Sequence, residues 1–417
     1  MTKRIVAIAF IFLCTSVAWA ILGGTIFSRT YSLDEISQNR VASTWGTAQN
    51  QTPPTASFTT LVPRQDERLE NGKKVVKTVQ EAVVTPLPLE SSAVDVALDL
   101  EHRQKGLLWY STYRVDLAGR YGFRNTSDKE TTVDFTLKFP TAQAIYDDLT
   151  FAVDGVPLEL KTIENAVTGS TKVPPGKTVQ LAIGYRSQGL DEWRYSFGSN
   201  VTQVRDFDLR MKTNFKLIDF PDNTLSPSAK NETAEGWDLT WSYKNLLSGY
   251  EIAMVMPEKL QPGPLAGRIS FFAPVSLFFF FFLMLIITTM RGIDLHPMNY
   301  FFLAAGFFAF HLLLAYLVDH ISIHLAFAIA SVVSVFLVVS YLRLVVGMHF
   351  ASREAALAQF VYLVMFSYAF FLKGFTGLAI TIGSIVTLFI VMQVTGRIQW
   401  TERFTLKPRD SAAGEST

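Results

Sequence analysis

The sequence predicts a multi-pass α-helical membrane protein with six spans and an inserted extracytoplasmic β-sandwich-like domain. Five apolar segments joined by short loops fill residues 269–398, and one isolated apolar segment occupies residues 5–27. The stretch between them, residues 28–265, is polar and contains runs in which apolar and polar residues alternate, as in half-buried strands. The composition also indicates a membrane protein, because 49% hydrophobic and 18% charged residues make the chain too apolar for an ordinary soluble enzyme.

The first apolar segment allows two interpretations. Lys3 and Arg4 precede it, and small residues around Ala20 offer a possible cleavage point, as in a signal peptide. However, the apolar run continues to Phe27, and at about 1.5 Å per residue it can cross a hydrocarbon core of roughly 30 Å. We therefore expect residues 1–27 to form an uncleaved N-terminal membrane anchor.

The other spans are expected in a five-helix bundle, residues 266–398, at residues 269–290, 298–318, 323–346, 355–372 and 378–395. Lys and Arg residues near the ends of spans are retained on the cytoplasmic side. With six spans, Lys3, Arg4, Arg291, Arg353 and the basic residues after the last span share one side. We expect both termini and a tail of residues 399–417 in the cytoplasm, and the domain of residues 28–265 on the opposite side.

Several short strands are predicted in the polar domain, including alternating runs around Phe135, Ile183 and Trp241. The dipeptide Asp154-Gly155 lies between two such runs and predicts a two-residue hairpin turn. Residues 46–55 are rich in Gly, Gln, Pro and Thr, which favours a linker. We expect an antiparallel β-sandwich, although the pattern alone does not separate a sandwich from a barrel.

Motifs of the common enzyme classes are missing from the sequence, which has no nucleophile elbow, no phosphate-binding loop and no His-Glu-x-x-His motif. The single cysteine, Cys14, lies in the first apolar segment and cannot form an intrachain disulfide bond. A net charge of +1 without a basic, aromatic-rich patch disfavours nucleic acid as a partner. We expect no enzymatic activity, no cofactor and no metal, with the lipid bilayer as one partner; the oligomeric state stays open.

The polar residues of the bundle are the candidate functional residues. His296 and Pro297 are predicted to start the third span, since proline suits the first helical turn. His311 lies well inside the same span, where an ionisable group is a functional candidate by default. The alternative, favoured for a lone histidine, is a neutral side chain hydrogen-bonded to a neighbouring helix.

Three further candidates lie near the span ends. Asp319 and His320, with His324, invite a zinc site, but a loop satisfied by water explains them better. Arg343 lies near the cytoplasmic end of the fourth span, where anchoring to headgroups is the simpler role. The fourth span also carries small residues at every fourth position, which predicts close approach of another helix at Ala326, Ala330 and Ser334.

Three motifs follow one another along the last part of the chain: Leu-His-Pro-Met-Asn-Tyr at 295–300, Asp319-His320, and Thr-Gly-Arg-Ile-Gln-Trp at 395–400. They resemble, in the same order, the Leu-His-Pro-x-Gln-Tyr, Glu-His and terminal Thr-Arg-x-Val-Asp-Trp motifs of the CreD family of bacterial inner-membrane proteins. Phe375-Thr376 stands where the family often has an acidic pair. The resemblance implies a periplasmic β domain and a role in cell-envelope integrity or stress response, without catalytic residues.

Three hypotheses about function remain. The leading one is a non-enzymatic inner-membrane protein whose periplasmic domain binds an envelope protein or polymer. The second is a transporter or lipid-handling protein, whose polar path would use the only visible candidates, His311, Tyr316, Gln359, Ser367 and Tyr368. The third, a hydrolase, lacks a recognisable nucleophile and base.

Overall fold

In the computed structural model, which describes residues 2–70, 73–198 and 202–396, the chain forms two compact units. The helical unit lies within residues 1–34, 106–108 and 260–417, and the β unit comprises residues 35–105 and 109–259. The predicted tail, residues 399–417, and the motif from Arg397 onward lie outside the described residues.

Helices of the helical unit confirm the six predicted spans. The elements are α1 (Thr2–Trp45), α2 (Pro262–Phe271), α3 (Ala273–Arg291), α4 (Pro297–Leu317), α5 (Ile323–Val345), α6 (Met348–Phe371) and α7 (Thr376–Thr395). Six of them are long and apolar enough to cross a membrane, with α1 doing so over Lys3–Tyr31. The short helix α2 was not predicted.

Helix α1 continues well beyond the predicted span, to Trp45. Residues 28–45 contain neither glycine nor proline, so nothing in the backbone stops the helix. It ends at Gly46, whose φ of 85° is left-handed and whose N–H donates to the Ala42 carbonyl at 2.8 Å. This is a common way for a helix to end.

Sixteen strands build the β unit in its described part: β1 (Gln49–Gln51), β2 (Thr55–Glu70), β3 (Lys73–Pro86), β4 (Leu89–Lys105), β5 (Leu108–Arg124), β6 (Thr131–Lys138), β7 (Tyr146–Val153), β8 (Val156–Pro157), β9 (Leu160–Ile163), β10 (Ala166–Val173), β11 (Thr178–Leu190), β12 (Glu192–Tyr195), β13 (Thr202–Thr213), β14 (Ala229–Glu232), β15 (Trp237–Ser248) and β16 (Ile252–Val255). They form sheets of eight strands (β14-β15-β13-β4-β5-β11-β7-β8), five strands (β3-β2-β6-β10-β9) and three strands (β1-β12-β16).

One hydrophobic core joins the sheets of the β unit and confirms the sandwich-like class. Phe123 of the eight-stranded sheet packs edge-on against Phe135 of the five-stranded sheet, with ring centroids 5.8 Å apart. The aromatic residues Trp193, Tyr195 and Trp241 belong to this core. The sandwich is not purely antiparallel as expected, because β13 pairs with β4, and β1 with β12, in parallel.

The predicted hairpin at Asp154-Gly155 is confirmed between β7 and β8, where Val153 pairs with Val156. Both turn residues have positive φ, 49° and 83°, as a type I′ turn requires. The pKa of the Asp154 carboxyl is lowered below its usual value, mainly because the carboxylate accepts a hydrogen bond from the Gln180 N–H. A hydrogen bond from the Lys177 side chain contributes less to the lowering.

The linker predicted at residues 46–55 is wrong in its middle, where β1 pairs with β12. Gln49 and Gln51 are buried, and their side-chain amides replace water with protein partners: Gln49 Nε2 donates to the Ser187 hydroxyl at 2.8 Å. Glutamine without apolar neighbours carries no strand signal, because its burial depends on partners that are distant in sequence.

Candidate functional site

Two ion pairs bracket α1 and α4 in the helical unit. Arg4 Nη1 lies 2.8 Å from Asp294 Oδ1, just before α4 begins, and Arg29 Nη2 lies 3.3 Å from Asp319 Oδ2, just after α4 ends. Arg4 and Arg29 lie near opposite ends of the α1 span, so α1 and α4 run in the same direction. Asp319, a predicted candidate, therefore has a structural partner that the sequence did not indicate.

His311 and Trp19 meet midway between these ion pairs. Both side chains are fully buried, and their rings are perpendicular with centroids 5.7 Å apart. His311 Nδ1 lies 3.0 Å from the Phe307 carbonyl one turn earlier, so the hydrogen bond is within α4 and not to a neighbouring helix as expected. In the described structure His311 Nε2 and Trp19 Nε1 have no hydrogen-bond partner.

These two unpartnered atoms are chemically complementary. With Nδ1–H donating to a carbonyl, a neutral imidazole presents a lone pair at Nε2, while the indole N–H is a donor. An unsatisfied buried polar group lowers the stability of the folded state by about 1–3 kcal/mol, so both nitrogens destabilise the bundle. The contact between Trp19 and His311 therefore places an unused acceptor and an unused donor side by side in the bundle.

Two consecutive buried hydrogen bonds connect three helices elsewhere in the bundle. Gln359 Nε2 of α6 donates to the Ser334 hydroxyl of α5 at 2.8 Å, and that hydroxyl donates to the Gly306 carbonyl of α4 at 2.6 Å. Ser334 and Gln359 are fully buried. The predicted small-residue face of α5 is thereby confirmed, since Ala326, Ala330 and Ser334 are all buried against the bundle. The sequence indicated these residues but not their pairing.

The five predicted candidates do not form one site. His296 caps α4, its Nδ1 accepting from the Met298 N–H at 3.2 Å, which confirms that His296 and Pro297 start this helix. Between His296 and Asp319 lies the whole of α4, about 35 Å at 1.5 Å per residue. His320 is exposed beyond α4, and Arg343 is exposed in the last turn of α5. The candidates are therefore distributed across the thickness of a bilayer.

The sequence also raised a zinc site, which the geometry does not support. Asp319 is paired with Arg29, and the His324 ring packs against the Phe371 ring with centroids 5.2 Å apart. Across residues 2–70, 73–198 and 202–396, no group of three or more His, Cys, Asp or Glu side chains could hold a metal ion.

In the β unit, strands β2 and β3 extend from the five-stranded sheet as a long hairpin, here called the ribbon (residues 59–84). Their register runs from the pair Ser57 and Pro86 out to the pair Glu70 and Lys73, whereas β6 pairs with β2 only over Thr55–Ser57. Within residues 59–65 and 78–84 every side chain is exposed. Over these two stretches the ribbon is thus uncovered on both faces.

Apolar residues lie on both faces of the ribbon. Leu61 is 63% exposed, Val84 62% and Val83 43%, with Val62 and Val79 also exposed. Residues directly opposite share a face, and the pairs Thr59 with Val84 and Thr60 with Val83 place the two valines on opposite faces. Only the ion pair of Arg64 and Glu81, 3.2 Å apart, adds a polar contact among the described ribbon side chains.

Buried tyrosines fill part of the β core. Burial raises the pKa of Tyr121, Tyr185 and Tyr195 well above the usual value, so all three stay protonated at physiological pH. Tyr185 donates its hydroxyl proton to Gln51 Oε1 at 2.5 Å, and the Tyr195 hydroxyl donates to the Tyr121 oxygen at 3.4 Å. The Tyr185 hydroxyl thereby ties β1 to the core, while Tyr195 and Tyr121 join β12 to β5.

Comparison with solved structures finds remote similarity. A candidate nutrient-binding protein from Legionella pneumophila is 12% identical with a TM-score of 0.35, covering 56% of this chain and 76% of that chain. An M1 zinc metallopeptidase from Deinococcus radiodurans is 11% identical with a TM-score of 0.27, covering 40% and 42%. Similarities of this size support no inference about activity.

Comparison with proteins of curated function finds no match. The family model described as inner membrane protein CreD, in contrast, matches residues 1–401, which is nearly the whole chain. The six apolar helices and the β unit inserted after the first of them agree with the fold that the sequence motifs imply. This chain therefore belongs to the CreD family of inner membrane proteins.

Proposed function

We propose that this protein is a non-enzymatic inner-membrane protein that supports cell-envelope integrity, and that its periplasmic β unit binds an extended segment of an envelope protein. The ribbon is the observation that carries this proposal. A two-stranded hairpin is marginally stable alone in water, and exposed apolar residues on both of its faces are typical of an interaction surface.

The two edges of the ribbon differ, which favours one mode of binding. Proline blunts an edge strand against further pairing, and β2 carries Pro63. Residues 73–85 of β3 contain no proline, and β3 is the outer strand of its sheet. A partner segment added as a strand beside β3 would gain main-chain hydrogen bonds and pack on the exposed valines.

The arrangement of the helical unit supports the proposed orientation. Because α1 and α4 run in the same direction, Arg4 lies at the same end of the unit as Asp294 and the end of α3. Arg291 pairs there with Glu354, the residue after Arg353. Basic residues gather at one end, as expected for a cytoplasmic face with both termini on it and the β unit in the periplasm.

The test is complementation of a deletion strain challenged with detergent. Because Phe58 and Thr85 are register partners, residues 59–84 can be replaced by Asn-Gly to close a two-residue hairpin without the ribbon. We expect this variant to reach the membrane at normal levels and to fail to restore detergent resistance. Normal resistance without the ribbon would contradict the proposal.

Point variants change the exposed apolar surface of the ribbon while both of its strands stay in place. Val83→Lys and Val84→Lys together place charges on both faces of the ribbon and should weaken complementation. Val156→Lys is the matched control, because Val156 is 64% exposed and lies in β8, the edge strand of the eight-stranded sheet, to which β3 does not belong. Photo-crosslinking from position 82 then distinguishes an envelope partner from a second copy of the chain.

A second candidate function, transport or lipid handling in the bundle, is favoured by the unpartnered nitrogens of His311 and Trp19. It is tested in the same strain with His311→Leu. We expect complementation equal to that of the wild-type protein, because the proposed function requires no ionisable group in the bundle. Failure of His311→Leu at normal membrane levels would instead assign function to the helices.

A further inference from the structure

A lateral cleft of about 490 Å³ opens between α3, α6 and α7 of the helical unit. Its lining is mostly apolar and includes Phe279, Tyr362, Met365, Ile380 and Gly383. Several of the lining residues also form the outer surface of the bundle, among them Met365, which is 57% exposed. The cleft is therefore open to the medium around the spans, which in an inner membrane is lipid hydrocarbon.

Three of the four side-chain hydroxyl groups that line the cleft donate to other atoms of the protein; Tyr368 carries the fourth. Tyr362 donates its hydroxyl proton to Thr387 Oγ1 at 3.0 Å, Thr387 donates to the Gly383 carbonyl at 2.8 Å, and Ser384 donates to the Ile380 carbonyl at 2.8 Å. The cleft consequently offers a hydrocarbon surface and little for a charged or sugar-like ligand, since each of these hydroxyl protons is already donated.

Irregular backbone in α6 and shallow packing of α7 together leave the cleft open. Helix α6 contains two π-helical segments, Ala351–Ala355 and Phe360–Met365, and the second lines the cleft. Such segments are rare and occur frequently at functional sites. The Tyr362 carbonyl within the second segment accepts a hydrogen bond from Ser276 of α3, which fixes this irregular turn against the bundle.

Helix α7 touches the unit along a narrow line. Only Thr387 and Val391 of this helix are buried, whereas α6 buries residues along its whole length. A methyl group added at Gly383 would meet no atom within 4 Å, so the space beside it is empty of protein. The helix is held at the Tyr362–Thr387 hydrogen bond and stands away from the bundle along the cleft.

We propose that this cleft binds one acyl chain of a bilayer phospholipid. The lipid that surrounds the spans is the molecule that meets the opening, and an acyl chain matches the apolar lining without requiring a free hydrogen-bond donor. The bound chain would fill the space between α6 and α7 and complete the packing of the last span. This proposal is independent of the function assigned to the β unit.

The test uses the full-length protein in nanodiscs that contain phosphatidylglycerol with a diazirine in one acyl chain. After illumination, labelled peptides are mapped by mass spectrometry. In the wild-type protein we expect labelling concentrated on cleft residues such as Met365 and Ile380. Gly383→Leu fills the cleft and should reduce that labelling about tenfold, equivalent to about 1.4 kcal/mol.

Gly377→Leu is the matched control, because Gly377 is also in α7, also has no atom within 4 Å of an added Cβ, and does not line the cleft. Its labelling should equal that of the wild-type protein. Equal labelling of the cleft in Gly383→Leu, or a uniform distribution over all spans, would overturn the proposal. Displacement of the label by an equimolar polyprenyl lipid would assign the cleft to isoprenoid chains instead.

Discussion

Gly46→Ala is expected to unfold the β unit at denaturant concentrations that leave the wild-type protein folded. The residue ends α1 with φ of 85°, where a side chain is strained by about 1–2 kcal/mol. An added Cβ would also lie 2.6 Å from the Gln188 carbonyl oxygen and 3.2 Å from that of Gln143. The Gln188 carbonyl belongs to β11, where main-chain atoms cannot move aside without disturbing the sheet, so we expect a total loss of at least about 3 kcal/mol.

Pulse proteolysis of the full-length protein in detergent, across a urea series, measures the free energy of unfolding of the β unit. Gly155→Ala is the matched control, since its φ of 83° is nearly the same but no atom lies within 4 Å of an added Cβ. We expect that variant to lose only about 1 kcal/mol. Equal losses in the two variants would show that contact with Gln188 is unimportant.

The role of Gly46 illustrates what the sequence could and could not predict. The length of the apolar segments identified six spans, and the alternation of apolar and polar residues identified the main strands. Both kinds of burial, in lipid and against a core, leave a local pattern in the sequence. The close contact between Gly46 and Gln188 and the strand at Gln49 depend instead on residues about 140 positions later in the chain. Such partners have no local signature.

For the same reason the sequence predicted which residues lie inside the bundle but not which of them pair. His311 was predicted to lie inside a span because its neighbours are apolar, and it does. Its ring partner Trp19 comes from the first span, and Gln359 is bonded to Ser334 of another helix. Interhelical pairs between distant segments follow from packing angles and register, which a single sequence does not encode locally.

Gly306→Leu is expected to have the largest effect on the helical unit. A Cβ at Gly306 would lie 2.6 Å from Val338 Cγ2, a stiff β-branched side chain on α5. The larger side chain should push α4 from α5, at a cost of about 1–3 kcal/mol for overpacking. It should also break the hydrogen bond from the Ser334 hydroxyl to the Gly306 carbonyl, which is worth about 1 kcal/mol. The Ser334 hydroxyl would then keep only its hydrogen bond from Gln359.

Thermal unfolding of the detergent-solubilised protein, followed by size-exclusion chromatography, should show a clear fall in Tm for Gly306→Leu and little change for Gly377→Leu, which has open space in α7. A double-mutant cycle isolates the contact: Gly306→Ala should be destabilising alone and partly rescued by Val338→Ala. Rescue would demonstrate that α4 and α5 approach each other through this glycine, since the two substitutions would otherwise add. Simple additivity would mean that the helices adjust elsewhere and that the small-residue face of α5 does not determine their separation.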